Sequence, residues 1–267
     1  MNLEIKFFSM LQKFMRIQNI NCSAISATYR RWYTSSTEQN KYKFEDDFIA
    51  SHIETTRFQK LLLTAGSAVI SLLDPMRADM IAVMGETAGE NAMRYMLQKM
   101  KTDEEGREIL RINSQTVDLE KLRTFPDGTL GKWYITFLDK NKVTPDSRNP
   151  VQFIDDVELA YVIQRYREVH DLFHTILEMP TNMLGEVTVK WVEAIQTRLP
   201  MCVGGAVFGS LRLYPKQRDK YVKYYLPWAI ETGINSKFLM NVYFERRWEQ
   251  PIEDLHHELN IKLLEIP

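Results

Sequence analysis

Two of the chain's five histidines, His170 and His174, stand four residues apart in the run "HDLFHTILEMPTNMLGE", which spans His170 to Glu186. In a helix that spacing puts both imidazoles on one face about one turn apart, where two neutral ring nitrogens can grip a single metal ion. The same pair can also be core-edge histidines bonded to backbone or carboxylate groups. Burial sharpens the choice, because an unpaired buried imidazole costs free energy and two charged ones would repel. A metal holds both in their neutral form. Asp171 is rotated about 100° from His170 around the helix, so it joins as a ligand only with a tilted side chain, or serves as an outer carboxylate that orients a histidine. Glu186 follows Pro180 in the first turn of the next helix, near enough to swing back over His174. The phase of that helix argues against it: Leu184, Val187, Trp191 and Ile195 make an apolar face, and Glu186 falls with Lys190 and Glu193 on the polar edge.

The elements that must position these residues are helical. Leu159, Ile163, Tyr166, His170, Phe173, His174 and Leu177 recur at three- and four-residue spacing, which predicts a helix over 156–178 ended by Pro180. Further helices are predicted over 52–73, stopped by Asp74-Pro75, over 77–100, ending near Lys99 and Lys101, and over 103–111. A Pro-Asp-Gly turn precedes another through about Leu138, and 141–150 reads as a loop. Beyond Pro180, helices are expected from Met183 to Leu199, over 202–213, over 216–232 and after Pro251. "KYKFEDDF" reads as a polar segment. With no alternating strand pattern, repeat or low-complexity linker, the fold class is all-α, one mostly helical domain with the candidate metal site on a helical hairpin.

Composition narrows the function. The 267 residues are 45% hydrophobic and 26% charged, with a net charge of −1, as in an ordinary globular protein. No basic field or nucleic-acid-binding signature is present, so nucleic acid is not an expected partner. The first 33 residues differ: Lys6, Lys13, Arg16, Arg30 and Arg31 face a single acid, Glu4, and a basic helical face opposes Leu3, Phe7, Met10, Leu11 and Phe14. An amphipathic, acid-poor leader with a Ser/Thr-rich stretch reads as a mitochondrial transit peptide over 1–33, with Arg31-Trp32-Tyr33 as the cleavage site, ahead of a metal-binding domain over 34–267. An interfacial or surface helix that stays on the mature protein is the other reading. Removing the leader leaves 29 basic and 34 acidic residues, a net charge of −5, and one cysteine, Cys202, which suits a reducing compartment.

Two stretches free of charge, 61–73 and 199–211, are thirteen residues each. A membrane span needs about twenty, so they are expected to be buried helices or the walls of an apolar slot. The glycines of "MCVGGAVFGS" lack the lysine of a phosphate loop. His256 and His257, beside Glu253, Asp254 and Glu258, read as a solvated helix face. A metal-dependent phosphohydrolase of the His-Asp-doublet class would want a further upstream histidine and a downstream aspartate. His52 is the only histidine upstream, far off in sequence.

The motif His-Asp-x-x-His, eleven residues, then Glu, taken with "ELAYVIQRYREVHD", "LTAGSAVISLLDPMRADMIAVMGE" and "PDGTLGKWYITFLD" in order, resembles the coenzyme Q biosynthesis protein 4 family over nearly all of the mature chain. The resemblance implies a peripheral protein on the matrix side of the mitochondrial inner membrane. Its partners would be the other subunits of the coenzyme Q biosynthetic complex, a polyprenylated aromatic substrate and the membrane surface. The implied activity is a lyase: decarboxylation of 4-hydroxy-3-methoxy-5-polyprenylbenzoate to 2-methoxy-6-polyprenylphenol. It also implies His170, Asp171, His174 and Glu186 as metal ligands, with zinc the usual assignment and iron or another divalent metal compatible with the same donors. Asp171 or Glu186, whichever is not a permanent ligand, would be the catalytic acid. Iron would be required were hydroxylation coupled to the loss of carbon dioxide. The alternative within the resemblance is a non-catalytic, lipid-binding scaffold with a structural metal.

Overall fold

The computed structural model describes residues 44–74, 77–112, 117–145 and 150–266. The leader predicted over 1–33 lies outside them. Among the described residues the only β pairing is an isolated bridge between Thr129 and Pro251, and everything else regular is helical.

Helices α1 (Phe44–Ser51), α2 (Arg57–Leu73), α3 (Ala78–Ala88), α4 (Glu90–Thr102) and α5 (Glu104–Ile112) come first, followed by short α6 (Leu119–Arg123) and α7 (Leu130–Asn141). Central α8 (Val157–Ile176) and α9 (Met183–Thr197) form the hairpin that carries the site. α10 (Pro200–Ser210), α11 (Pro215–Lys220), α12 (Leu226–Asn235) and α13 (Ile252–Leu259) complete the chain. α8 is buried on most of its circumference, so its apolar stripe Leu159, Ile163, Tyr166 and Phe173 sits inside one continuous core. It starts where Asp156 accepts the amides of Glu158 and Leu159 at 2.9 and 3.3 Å, an N-cap that satisfies otherwise orphaned donors.

Several elements differ from the sequence expectation for identifiable reasons. The polar-looking "KYKFEDDF" contains the start of α1, because Phe44 and Phe48, one turn apart, stack at 6.0 Å and Phe44 packs edge-on against Tyr161 at 5.4 Å. α2 begins at Arg57 and not at 52, since Thr56 and Gln59 form a capping box. The helix expected over 77–100 breaks at Gly89, where a Cβ would stand 2.4 Å from the Gly85 carbonyl oxygen. The one expected over 216–232 is α11, a π-helical turn (Tyr221–Tyr225) and α12. Pro227 has no amide to continue the ladder, and the wide turn just before it absorbs the defect.

Two corrections bear on function. His256 is buried and its Nε2 lies 2.7 Å from the carbonyl oxygen of Ile176, pinning the C-terminal end of α8, whereas His257 is exposed as expected. The charge-free stretches are buried on one face only: Ile70, Met201, Cys202 and Ala206 are buried, but Leu61 is 64% exposed, Leu73 66%, Phe208 48% and Leu211 68%. α2 and α10 turn apolar faces outward. No helix of the described residues is long and apolar enough to cross a membrane.

Candidate metal centre

The α8–α9 connection is short and sterically fixed. After α8 the chain turns through Glu178 at a φ of 51°, the Met179 amide closes on the His174 carbonyl at 3.0 Å, and Asn182 caps α9 by accepting the Gly185 amide at 3.0 Å. Gly185 is the tight point, because a Cβ there would lie 1.9 Å from the Pro180 carbonyl oxygen. This close approach places the first turn of α9 against the last turns of α8 and brings Glu186 over the histidines.

His170, His174 and Glu186 each offer a ligand atom, and these atoms all lie within 4.8 Å of one another. Glu186 Oε1 is 3.4 Å from His174 Nε2, and Glu186 Oε2 is 3.8 Å from His170 Nε2. The two rings meet edge-on at 89° with centroids 4.9 Å apart, and Phe137 of α7 stacks on His174 at 5.8 Å. Asp171 is buried on α8 but is not part of this group of three.

The far nitrogen of each ring is fixed by another group. His174 Nδ1 is 3.0 Å from the Met179 carbonyl oxygen, an acceptor only, so Nδ1 carries the proton and Nε2 presents its lone pair. That Nε2 is buried and has no hydrogen-bond partner. His170 Nδ1 lies 2.6 Å from Glu193 Oε1, which likewise directs Nε2 towards the shared space. Imidazoles anchored through one nitrogen by a carbonyl or carboxylate, with the other aimed at a carboxylate, have the form of metal-ligating histidines. Two such nitrogens and a carboxylate suit zinc, iron and related divalent ions, and an ion bound there would give the buried His174 Nε2 a partner.

Electrostatics favour an ionised Glu186 and a neutral His170, while the Glu186 carboxylate beside His174 draws a proton onto that ring when no cation takes its place. Burial alone would raise the Glu186 carboxyl, but His174, His170 and Lys190 outweigh it and hold it at about 2. Burial pulls His174 down while Glu186 pulls it up, and the net is upward. Burial and the Lys190 charge push His170 down.

Sequence reasoning missed a second layer. Glu193, fully buried on α9, accepts Lys190 Nζ at 2.7 Å and the Tyr166 hydroxyl at 2.8 Å on Oε2, with Cys202 Sγ 3.7 Å away. Lys190 Nζ also donates to the Tyr166 hydroxyl at 3.0 Å. Burial pushes the Cys202 thiol up to about 12, which disfavours a thiolate at this position. The sequence carries a signal of it: Glu186, Lys190 and Glu193 recur at four- and three-residue spacing. Taken as a solvent edge, that stripe in fact faces Tyr166 and His170 of α8.

Comparison with known proteins adds to this geometry. Residues 49–265 match the family model described as coenzyme Q (ubiquinone) biosynthesis protein Coq4. The chain is 57% identical over 249 residues to the mitochondrial ubiquinone biosynthesis protein COQ4 homolog of Bombyx mori, covering 92% of this chain and 95% of that one. It is 58% identical over 226 residues to the protein of the same name in Drosophila grimshawi, covering 83% and 86%. A crystal structure of a protein from Nostoc punctiforme named for ubiquinone biosynthesis has the same fold, with a TM-score of 0.61 at 17% identity over 76% of this chain and 97% of that one.

Proposed function

The chain belongs to the coenzyme Q (ubiquinone) biosynthesis protein Coq4 family and acts in ubiquinone biosynthesis; from that premise we propose that it removes the ring carboxyl group of a 4-hydroxy-3-methoxy-5-polyprenylbenzoate, with a divalent metal on His170, His174 and Glu186. The observation that carries the reading is the donor count. Four fixed protein ligands close a zinc site and make it structural, whereas two histidines and a glutamate leave a position open for substrate. The group of three, with its unpartnered buried Nε2, supports a site of the second kind.

A zinc or iron ion held there would supply positive charge at the open position, where a phenolate or carboxylate oxygen is stabilised. The chain's own residues do the rest. Glu186, ionised and close to both imidazoles, serves as a ligand and not as the acid. Asp171, buried and adjacent to His170 in sequence, is the residue to which this reading assigns the proton donor's role. Its proton goes to the ring carbon that bears the carboxylate, the carbon–carbon bond breaks, carbon dioxide leaves and the bonding pair stays with the ring; water returns a proton to Asp171. Phe137 over His174 helps exclude water from one side.

The lipid end of the reading rests on the outward apolar faces of α2 and α10. Arg212 donates to the Leu72 carbonyl and so joins the ends of the two helices. Residues 212–223 carry five cations, Arg212, Lys216, Arg218, Lys220 and Lys223, against one acid, Asp219, in a chain whose net charge is −1. An apolar surface edged with cations fits an anionic bilayer, here the matrix side of the mitochondrial inner membrane, where a polyprenylated substrate and the other subunits of the biosynthetic complex are met.

Purified, metal-loaded protein given the prenylated benzoate in liposomes is expected to release carbon dioxide and yield the 2-methoxy-6-polyprenylphenol by mass spectrometry, with His174→Ala inactive. Folded, metal-loaded protein that binds those liposomes and forms no product would leave the lipid-holding scaffold in its place.

A further inference from the structure

Glu193 is a costly residue to keep. A carboxylate with 0% of its side chain exposed must recover several kcal/mol of lost hydration from its partners, and an apolar pair at Lys190 and Glu193 would fill the same space between α8, α9 and α10 more cheaply. Its two oxygens are used differently. Oε2 is occupied by Lys190 at 2.7 Å, by the Tyr166 hydroxyl at 2.8 Å and, at 3.7 Å, by Cys202. Oε1 meets His170 Nδ1 at 2.6 Å.

His170 Nδ1 has a second suitor. Lys190 Nζ stands 3.4 Å away and, acting as donor, would favour the tautomer with its lone pair on Nδ1 and its proton on Nε2. That tautomer aims an N–H into the space shared with His174 and Glu186 and cannot ligate. A carboxylate at 2.6 Å forms a charge-assisted bond, while 3.4 Å is at the far limit of a useful one, so Glu193 decides. Lys190, drawn onto Oε2 and onto Tyr166, is thereby turned from a competitor for the ring into the counter-charge that lets Glu193 remain ionised.

We propose that Glu193, braced by Lys190 and Tyr166, is a positioning residue for the metal, fixing the His170 tautomer and ring angle so that Nε2 joins His174 and Glu186. The inference rests on the metal reading above and adds that the affinity of the site for a divalent ion is set from the far side of His170. With Lys190 and Glu193 neutralising each other, Glu186 remains the formal charge of the three-residue ligand set, and a divalent ion gives that set a net charge of +1, suited to a monoanionic substrate group.

The test is zinc affinity, measured by competition with a chromophoric chelator, and the ligand-field bands of the cobalt(II)-loaded protein. Glu193→Gln keeps the shape and removes the charge. It is expected to weaken zinc binding about 10- to 100-fold and to shift the cobalt bands, with helical circular dichroism unchanged. Tyr166→Phe removes one brace of the same carboxylate but leaves the Glu193–His170 contact in place, so it is expected to weaken zinc binding too, by less than Glu193→Gln does. Should Glu193→Gln not fold, Glu193→Asp keeps the charge for Lys190 and retracts it from His170, with the same weakening expected. Parent-like zinc affinity in the folded Glu193 variant, or an equal loss in Tyr166→Phe, overturns the inference while leaving the proposed reaction standing. A parent protein that takes up neither zinc nor cobalt overturns the metal reading and this inference with it.

Discussion

Arg167 and His174 lie seven residues apart on α8, two turns and so on one stripe of the helix, and each is buried against a glutamate from a neighbouring helix. Arg167 meets Glu86 of α3 at 2.6 Å and also donates to the Ala82 carbonyl at 3.1 Å. The other oxygen of Glu86 accepts the amides of Gln152 and Phe153 at 2.9 and 2.8 Å. His174 meets Glu186 of α9 at 3.4 Å without a hydrogen bond and keeps a buried, unpartnered Nε2. A buried polar group that exists to hold helices together uses up its bonding capacity inside the protein. One that exists to hold something else leaves an acceptor open at a cost of about 1–3 kcal/mol.

The sharpest way to break that comparison is to cut both pairs. Glu86→Ala strands the Arg167 charge and two backbone amides, and is expected to lower stability by about 3–5 kcal/mol, read from chemical denaturation, while protein that still folds binds its metal. His174→Ala removes a group already short of a partner. It is expected to cost about 1–3 kcal/mol and to abolish stoichiometric metal binding on dialysis against trace zinc. If His174→Ala proves the more destabilising while metal content is unchanged, the two pairs are of one kind and the site is only packing.

A smaller effect sharpens the same contrast through geometry alone. Gly185→Ala puts a methyl 1.9 Å from the Pro180 carbonyl oxygen, so the first turn of α9 must move. Overpacking of this sort costs about 1–3 kcal/mol. Because Glu186 is the next residue, metal affinity is expected to fall more than stability, by isothermal titration of folded protein. The Arg167–Glu86 pair, on α8 and α3, should be untouched, with backbone amide exchange at Gln152 and Phe153 unchanged.

How much of this was legible beforehand depended on what the pattern of polar residues was taken to mean. The α8 periodicity and the spacing of His170 and His174 could be read directly, because an apolar stripe interrupted by titratable groups is unusual in a buried helix. The group of three could be anticipated only in part. Helix phase put Glu186 with Lys190 and Glu193 on a solvent edge, since periodicity equates polar with exposed, and that equation fails where two polar stripes pair across an interface. The same error, reversed, made the charge-free 61–73 and 199–211 look buried when Leu61, Leu73 and Leu211 face out. Local breaks had visible causes that were given too little weight: Gly89 inside one helix and Pro227 inside another. His256 carried no readable sign of its role, because its acceptor, the Ile176 carbonyl, is eighty residues away.

The smallest expected effect comes from a pair that is closed but lies near the surface. Arg247 bridges Glu105 at 2.9 Å and Glu258 at 2.7 Å, joining α5 to α13. The Arg247 hydrogen bond, against the opposing pull of burial, holds the Glu258 carboxyl below its ordinary value of 4.5. A carboxyl whose folded pKa is depressed adds stability that is present above its unfolded pKa and is lost as pH falls through the folded one. Glu258→Gln is therefore expected to cost about 0.5 kcal/mol at neutral pH, by chemical denaturation, with the gap to the parent closing as pH falls below 4.5. About 1 M salt, with a screening length near 3 Å, should shrink the same gap and leave the Glu86→Ala penalty almost intact. Equal salt sensitivity in both would mean that Glu86 and Arg167 are as well solvated as Glu258 and Arg247, and the division between closed structural pairs and an open binding site would lose its physical basis.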